Sequence, residues 1–270
     1  MNSDSYLTMT PKLGRLAAAC SIALVSLGGL AGCTPPAPAH GTEYLLAVDP
    51  AEAGDATDAN PDAALQRTGK ALTRRLDLFG SHATFETVKP NLLRIRVGDP
   101  ASGSVTNLGK LLTRAGRLEF RPVHPDNEKL LQTGTVPPGY ELMKEVISRP
   151  GGTIQRIPFV VAKQPVPGLT DHVKRAFPDQ DAHSDQVMIN FEFDAEGARA
   201  FGEVTAQNVG RQLAIVLDGV LYSAPVIRSP ITGGAAVISG SFTMLEAREL
   251  AAILESAVDL RIQVVEERKF

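Results

Sequence analysis

The side chains able to do chemistry are few in this sequence, and their spacing does not bring them together. The five histidines, His40, His82, His124, His172 and His183, have no cysteine near them at zinc-ligand spacing. Asp179, Asp181, His183 and Asp185 put donors at alternate positions, a pattern open to calcium. The run lacks the glycine at the sixth position and the glutamate at the twelfth that an EF-hand needs, so a polar surface loop is expected. Glu192 with Asp194, and Asp218 with Ser223, are conceivable catalytic pairs. Local structure accounts for them better: Asp194 stands where a helix needs an N-cap and Asp218 where a hairpin needs a tight turn. Arg94, Arg96, Arg117 and Arg121 suggest an anion site, but Glu86 and Glu119 lie close in sequence and a solvated sheet face is the expectation. There is no phosphate-binding glycine loop, dinucleotide fingerprint or nucleophile elbow. The expectation is no enzyme: no catalytic residue, no metal and no cofactor.

One side chain does have a chemistry of its own. Lys12 and Arg15 precede an apolar run of small residues, Leu16–Leu30, which ends in Leu30-Ala31-Gly32-Cys33. The run is shorter than the roughly 20 residues that span a bilayer, and reads as a targeting segment. The tetrapeptide matches the bacterial lipobox, which implies cleavage before Cys33 and acylation of its thiol. A plain secretory signal or an uncleaved anchor remains an alternative. The only other cysteine, Cys20, lies inside the apolar run, so residues 1–32 are read as signal peptide and no internal disulfide is expected. Residues 33–42, rich in proline and alanine, form a semi-stiff tether. The expected location is the outer face of the membrane, held by lipid on Cys33.

The remainder must fold around a core. Of 270 residues, 43% are hydrophobic and 21% charged, with a net charge of −3. No basic face points to nucleic acid, and the absence of tryptophan weakens base stacking. Tyr44–Val48, a helix from Asn60-Pro61 to Phe79, Ala83–Val88, Leu92–Val97, a helix opening at Ser104 and Leu118–Arg121 give the order β-α-β-β-α-β. That is the ferredoxin-like arrangement, assigned to residues 43–123 as a base. Residues 124–156, rich in proline and glycine, read as a connector. Tyr140–Ser148 within it is a strand or a helix by pattern alone.

Residues 157–258 form a second α+β unit. Leu169-Thr170 is expected to open a short helix ending at Pro178. Val187–Phe193 alternates as a half-buried strand, and Asp194 caps the helix after it. Leu213–Leu217 is a buried strand, Asp218-Gly219 a tight turn, and Val220–Ser223 the return strand. Pro225 cannot donate to a ladder, which puts that strand at an edge. Gly233-Gly234 marks another turn, Ala235–Ser239 a further strand, and Thr243 with Glu246 a capping box. Residues 259–270 read as a last strand returning to the base.

The blocks LAIVLDG, SAPVI and ISGSFT, with the upstream FDAEGARAFGEVTAQNVG, resemble the first large periplasmic domain of SecD. SecD is the membrane subunit that assists the Sec protein-export channel from the outer side. The resemblance covers roughly Glu43 to the C-terminus. It implies a ferredoxin-like base, a head with a mixed or antiparallel sheet, and contact with unfolded exported polypeptide or Sec membrane components. The proton-coupling transmembrane helices of SecD have no counterpart in this sequence. The edge strand supplies candidate peptide contacts: Val220, Leu221, Tyr222, Ser223, Pro225 and Ile227. The rival readings are a lipoprotein binding a small molecule or envelope polymer, and a non-catalytic partner of another membrane protein.

Overall fold

The computed structural model describes residues 38–49, 61–88, 91–99, 108–148, 153–182, 185–258 and 260–270, and residues 36–270 belong to one unit. Cys33 and the signal segment lie outside the described residues. The chain begins with strand β1 (Gly41–Asp49), which sends Tyr44, Leu46 and Val48 inward. Helix α1 (Pro61–Leu78) follows, with Leu65, Thr68, Leu72, Arg75 and Leu76 buried along one face. The hairpin β2 (Ala83–Val88) and β3 (Leu92–Gly98) returns antiparallel beneath it. Leu93, Ile95 and Val97 face α1, while Arg94 and Arg96 face outward. Helix α2 (Leu108–Thr113) adds Leu111 and Leu112 to the same core.

The next strand departs from the sequence expectation. β4 (Leu118–Pro122) does not close the base. It pairs antiparallel with β9 (Leu213–Leu217), in a sheet of order β10-β9-β4 whose other member is β10 (Val220–Ser223). The place beside β1 is taken by β12 (Arg261–Lys269), giving the base the order β12-β1-β3-β2. The ferredoxin-like sheet is therefore completed by the last strand of the chain, and nearly everything between α2 and β12 is inserted in its final crossover. All five residues of β9 are buried: Leu213, Ile215 and Leu217 face one core and Ala214 and Val216 another. β9 is the central strand of its sheet, paired with β4 on one edge and β10 on the other, and Leu118 and Phe120 of β4 join the core of Leu213, Ile215 and Leu217.

Between β4 and β9 lie helix α3 (Asn127–Thr133), the hairpin β5 (Tyr140–Ser148) and β6 (Ile154–Ala162), the pair β7 (Val173–Gln180) and β8 (Val187–Phe193), and helix α4 (Ala195–Gln207). Tyr140–Ser148 is thus a strand, and the expected connector contains a helix that no amphipathic stripe announced: α3 buries no residue. The short helix expected up to Pro178 is also a strand. β7 is the edge of the order β11-β8-β7, where β11 is Ala235–Ser239, and at an edge a proline costs no ladder bond. Inside these sheets Phe120 lies 5.2 Å from Phe201 and 6.0 Å from Phe193, ring centre to ring centre. Each ring so buried contributes roughly 1.5–3 kcal/mol.

Helix α5 (Met244–Glu255) joins the two cores. Ala247, Leu250, Ala251 and Leu254 enter the head core, and Ile253 enters the base core. Its C-terminus meets that of α2, and the fully buried Arg75 fills the junction. The guanidinium donates to Leu111 O at 2.9 Å, Arg114 O, Ala115 O at 3.4 Å, Ser256 O at 2.6 Å and Ser256 Oγ at 2.9 Å. Leu111 O, Arg114 O and Ser256 O lie at helix ends, where acceptors go unpaired within the helix, Ala115 O also accepts from Val258 N, and a cation there suits the helix dipoles. Burial pulls the Arg75 pKa down to about 10, which leaves it cationic at neutral pH. Gly116, with φ of 85°, lets the chain pass so close that a Cβ would meet Ile253 O at 2.5 Å.

Two predictions follow from this packing. Arg75→Met removes the charged donor to Leu111 O, Arg114 O and Ser256 O, so urea unfolding should show a loss of about 3 kcal/mol or more, since each charged hydrogen bond is worth about 1.5–3 kcal/mol. A loss below about 1 kcal/mol would mean that water replaces the guanidinium. The second concerns the N-terminus of α4, where Asp194 accepts from Glu196 N and Gly197 N, and His172 Nδ1 lies 3.0 Å from its Oδ2. The bond to Asp194 raises the His172 pKa above its ordinary 6.5, and the backbone donor Gly197 N with His172 lowers that of Asp194 below its ordinary 3.8. The histidine's contribution is fully present below 6.5 and lost as pH rises through its higher folded value. The aspartate's is present above 3.8 and lost as pH falls through its lower folded value. The stability gap between wild type and His172→Gln should therefore be widest between these limits and shrink in denaturant titrations as pH rises through the raised histidine value.

Candidate functional site

The Asp218-Gly219 turn positions the edge strand. Asp218 at φ 49° and Gly219 at φ 76° form the positive-φ pair of a two-residue hairpin. The Asp218 carboxylate does more than tolerate that conformation. Its Oδ1 accepts from Gly116 N at 2.8 Å and Arg117 N at 2.9 Å, and its Oδ2 accepts from Arg114 Nε at 2.9 Å. The turn is thereby fastened to the segment leaving α2.

Beyond the turn, β10 is the outer strand of its sheet. Its register slips between Leu221 and Ser223, so Tyr222 is a bulge residue. Tyr222 packs on Phe242, with ring centres 5.7 Å apart. These two rings, Val220, Val146 of β5 and the first turns of α5 line a groove of about 220 Å³. Lys110 and Arg114 come from α2, Glu246 and Glu249 from α5. Glu246 is committed to the capping box, accepting from Thr243 N at 2.8 Å while Thr243 Oγ1 receives Glu246 N at 3.2 Å. Glu249 is partly buried, and burial raises its pKa, with Glu246 adding to the rise against Lys110 and Arg114.

The six candidate contacts separate in the structure. Val220, 49% exposed, and the partly buried Tyr222 line the groove with their side chains. Leu221 borders it but packs into the small core against Val216 and Val161. Ser223 is buried, and its Oγ finds no partner among the described residues. Pro225 and Ile227 leave the edge: Pro225 O accepts from Leu213 N, and Ile227, 6% exposed, exchanges backbone bonds with Arg211 and Gly210 and enters the head core. Phe242, Lys110, Arg114 and Glu249 join Val220 and Tyr222 from distant parts of the chain. The one sequence signal for Glu249 was its place three residues after Glu246, off the apolar face of α5.

The other chemistry-bearing residues are engaged locally. Glu43, only 5% exposed on the outer face of the base sheet, is gripped by Arg96 at 2.8 Å, Arg268 and Arg94, and Arg94 also meets Glu86. Arg121 pairs with Glu119 and Glu141. Asp179 accepts from Gln180 N and Asn190 Nδ2. Among the described residues no group of three His, Cys, Asp or Glu side chains is placed to hold a metal, and no helix is long and apolar enough to cross a membrane.

Residues 144–258 match the family model of the SecDF P1 head subdomain. The SecD translocase subunit of Magnetococcus marinus is 34% identical over 209 residues, 76% of this chain and 39% of that protein. That of Calditerrivibrio nitroreducens is 35% identical over 165 residues, 59% of this chain and 32% of that protein. The chain thus spans about a third of the length of these relatives. Among solved structures, SecDF in its super-membrane-facing form superposes with a TM-score of 0.60 at 25% identity, covering 88% of this chain and 32% of that one. A second, described as a membrane component SecDF that enhances protein export, gives 0.56 at 26% identity and covers 84% of this chain and 99% of that one.

The turn can be tested by substitution. Asp218→Ala removes an acceptor of three hydrogen bonds and puts an ordinary residue at positive φ, so a loss of about 2–3 kcal/mol is expected in denaturant unfolding. Asp218→Asn keeps an acceptor and tolerates positive φ, and should lose less than half as much. Equal losses would show that the Arg114 ion pair alone holds the turn.

Proposed function

We infer, from the chain being a SecD periplasmic-domain-like protein, that it assists protein export from the outer face of the membrane. It is tethered there through acylated Cys33 and seats an extended stretch of unfolded polypeptide in the groove beside β10. The observation that carries this reading is the edge position of β10 next to an aromatic-lined groove. An edge strand offers backbone donors and acceptors to any sequence, which suits a partner defined by being unfolded and not by its residues. The exposed Val220 and the Tyr222–Phe242 pair supply apolar contact beside them. The SecDF structure described as enhancing protein export matches nearly its whole length to this chain, which supports the assignment to export. Energy coupling is not assigned to this domain; it contacts the Sec membrane complex or its substrate and releases it.

Photoreactive residues at Val220, Tyr222 and Ile227, in native membranes with a preprotein in transit, test the reading. Adducts to the preprotein at Val220 and Tyr222, with none at the buried Ile227, are expected. Adducts only to a membrane protein would make this an accessory subunit. No adducts, with Cys33 shown to carry lipid, would favour a lipoprotein that takes a small ligand.

A further inference from the structure

The hairpin of β5 and β6 is apolar on both of its sides. Met143, opposite Phe159, turns toward the small core, where Phe159 and Val161 pack with Val216 and Leu221. Leu142, Val146 and Ile154 lie on the other side and are 48%, 51% and 54% exposed. Of the apolar residues on that side only Val160 is buried. An antiparallel hairpin with one face in water normally alternates apolar with polar residues. This one keeps an apolar strip on its outward side, which marks a surface that meets a partner.

The charges around the strip are one-sided. Lys144 and Arg156 share its side, are exposed, and have no ion-pair partner among the described residues. The two carboxylates of the hairpin stand on the opposite side: Glu141 is held by Arg121, and Glu145 is half-buried. At the margins the charges cancel. Asp126 and Glu128 meet Lys129 and Arg211 in the cleft beside Pro158, and Lys110 and Arg114 meet Glu246 and Glu249 in the groove beside Val146. The strip thus carries two uncompensated positive charges on a chain of net charge −3. Aliphatic side chains flanked by long basic stems suit a bilayer surface. The aliphatic groups enter the acyl boundary, and the stems lie along them and bring their cations to the headgroup phosphates. Residues 34–40 separate Cys33 from β1 and reach about 25 Å at most when extended.

We propose that the outward side of the β5–β6 hairpin docks on an anionic lipid surface, with Leu142, Val146 and Ile154 entering the boundary and Lys144 and Arg156 on the phosphates. The lipid on Cys33, part of the proposed function, only brings this face within reach. Stable peripheral attachment takes two signals, and the hairpin is the second. Val146 belongs to both the strip and the groove, so docking sets the groove beside the bilayer.

The test uses the full chain in nanodiscs of phosphatidylcholine, with or without phosphatidylglycerol, and nitroxide-labelled lipid as quencher. An environment-sensitive fluorescent residue replaces Val146 or, as a control, the exposed Val237 of β11. Quenching is expected at Val146 and not at Val237, with phosphatidylglycerol present, and it should fall in high salt. Lys144→Gln and Arg156→Gln should each lower the docking equilibrium about fivefold, with circular dichroism unchanged. No quenching at Val146, or equal quenching at Val237, would overturn the proposal. So would quenching that ignores both phosphatidylglycerol and the two substitutions. A photoreactive residue at Val146 that captures a protein while the fluorescent one stays unquenched would assign the face to a protein partner instead. Mass spectrometry of Cys33 reports the anchor separately: lipid on Cys33 without quenching sinks the docking face alone, and quenching without lipid on Cys33 supports the face and removes the anchor.

Discussion

The structure depends on one buried cation. Arg75 sits where the C-termini of α2 and α5 converge, and its guanidinium donates to four carbonyls and a hydroxyl there. Taking a guanidinium out of water costs several kcal/mol, and only a full set of acceptors repays it. Two helix ends supply that set, together with the negative ends of their dipoles. The consequence is geometric. α1 belongs to the base, α5 reaches into the head, and α2 is followed by the Gly116 passage into β4. With Arg75 in place, α5 has one position relative to the base, and so do the walls of the groove that α2 and α5 provide.

Base and head are consequently poorly described as beads on a string. The chain crosses between them at Gly116 and again through α5, whose successive turns serve both cores. Arg74 reinforces the second crossing, at 2.6 Å from Glu255, whose other oxygen accepts from Ala176 N of β7. Asp218 reinforces the first. Polar groups thus tie the joints between the cores, and apolar packing fills each core.

Local chemistry was legible in the sequence and pairing was not. The Asp194 cap, the Thr243–Glu246 box and the Asp218-Gly219 turn each depend on residues a few positions apart, and each appears where its residues stand. The fate of Leu118–Pro122 depended on which sheet it joins. Its alternation of Leu118 and Phe120 with Glu119 and Arg121 fits either, because a period of two reports that one face is buried and not against what. Residues 261–269 barely alternate, since only Ile262 of β12 is buried, yet they take the edge of the base sheet because β1 needs a partner there. Helix α3 buries nothing and had no periodicity to read. The groove was half legible: Val220 and Tyr222 follow from the edge strand, whereas Lys110, Phe242 and Glu249 arrive only by tertiary packing.

The edge strand itself limits what the groove can do. An exposed edge invites aggregation, and β10 carries the usual protections: it is four residues long, bulged at Tyr222 and followed by Pro225. After the proline the chain bonds back toward Arg211 and Leu213, which leaves only a short unpaired edge. A guest strand can form few ladder bonds there, each worth about 1 kcal/mol net. Affinity must then come from side chains, the aromatic pair among them. Such contacts are individually weak and release quickly, which is what a polypeptide moving past a fixed domain requires, and a longer open edge would hold it.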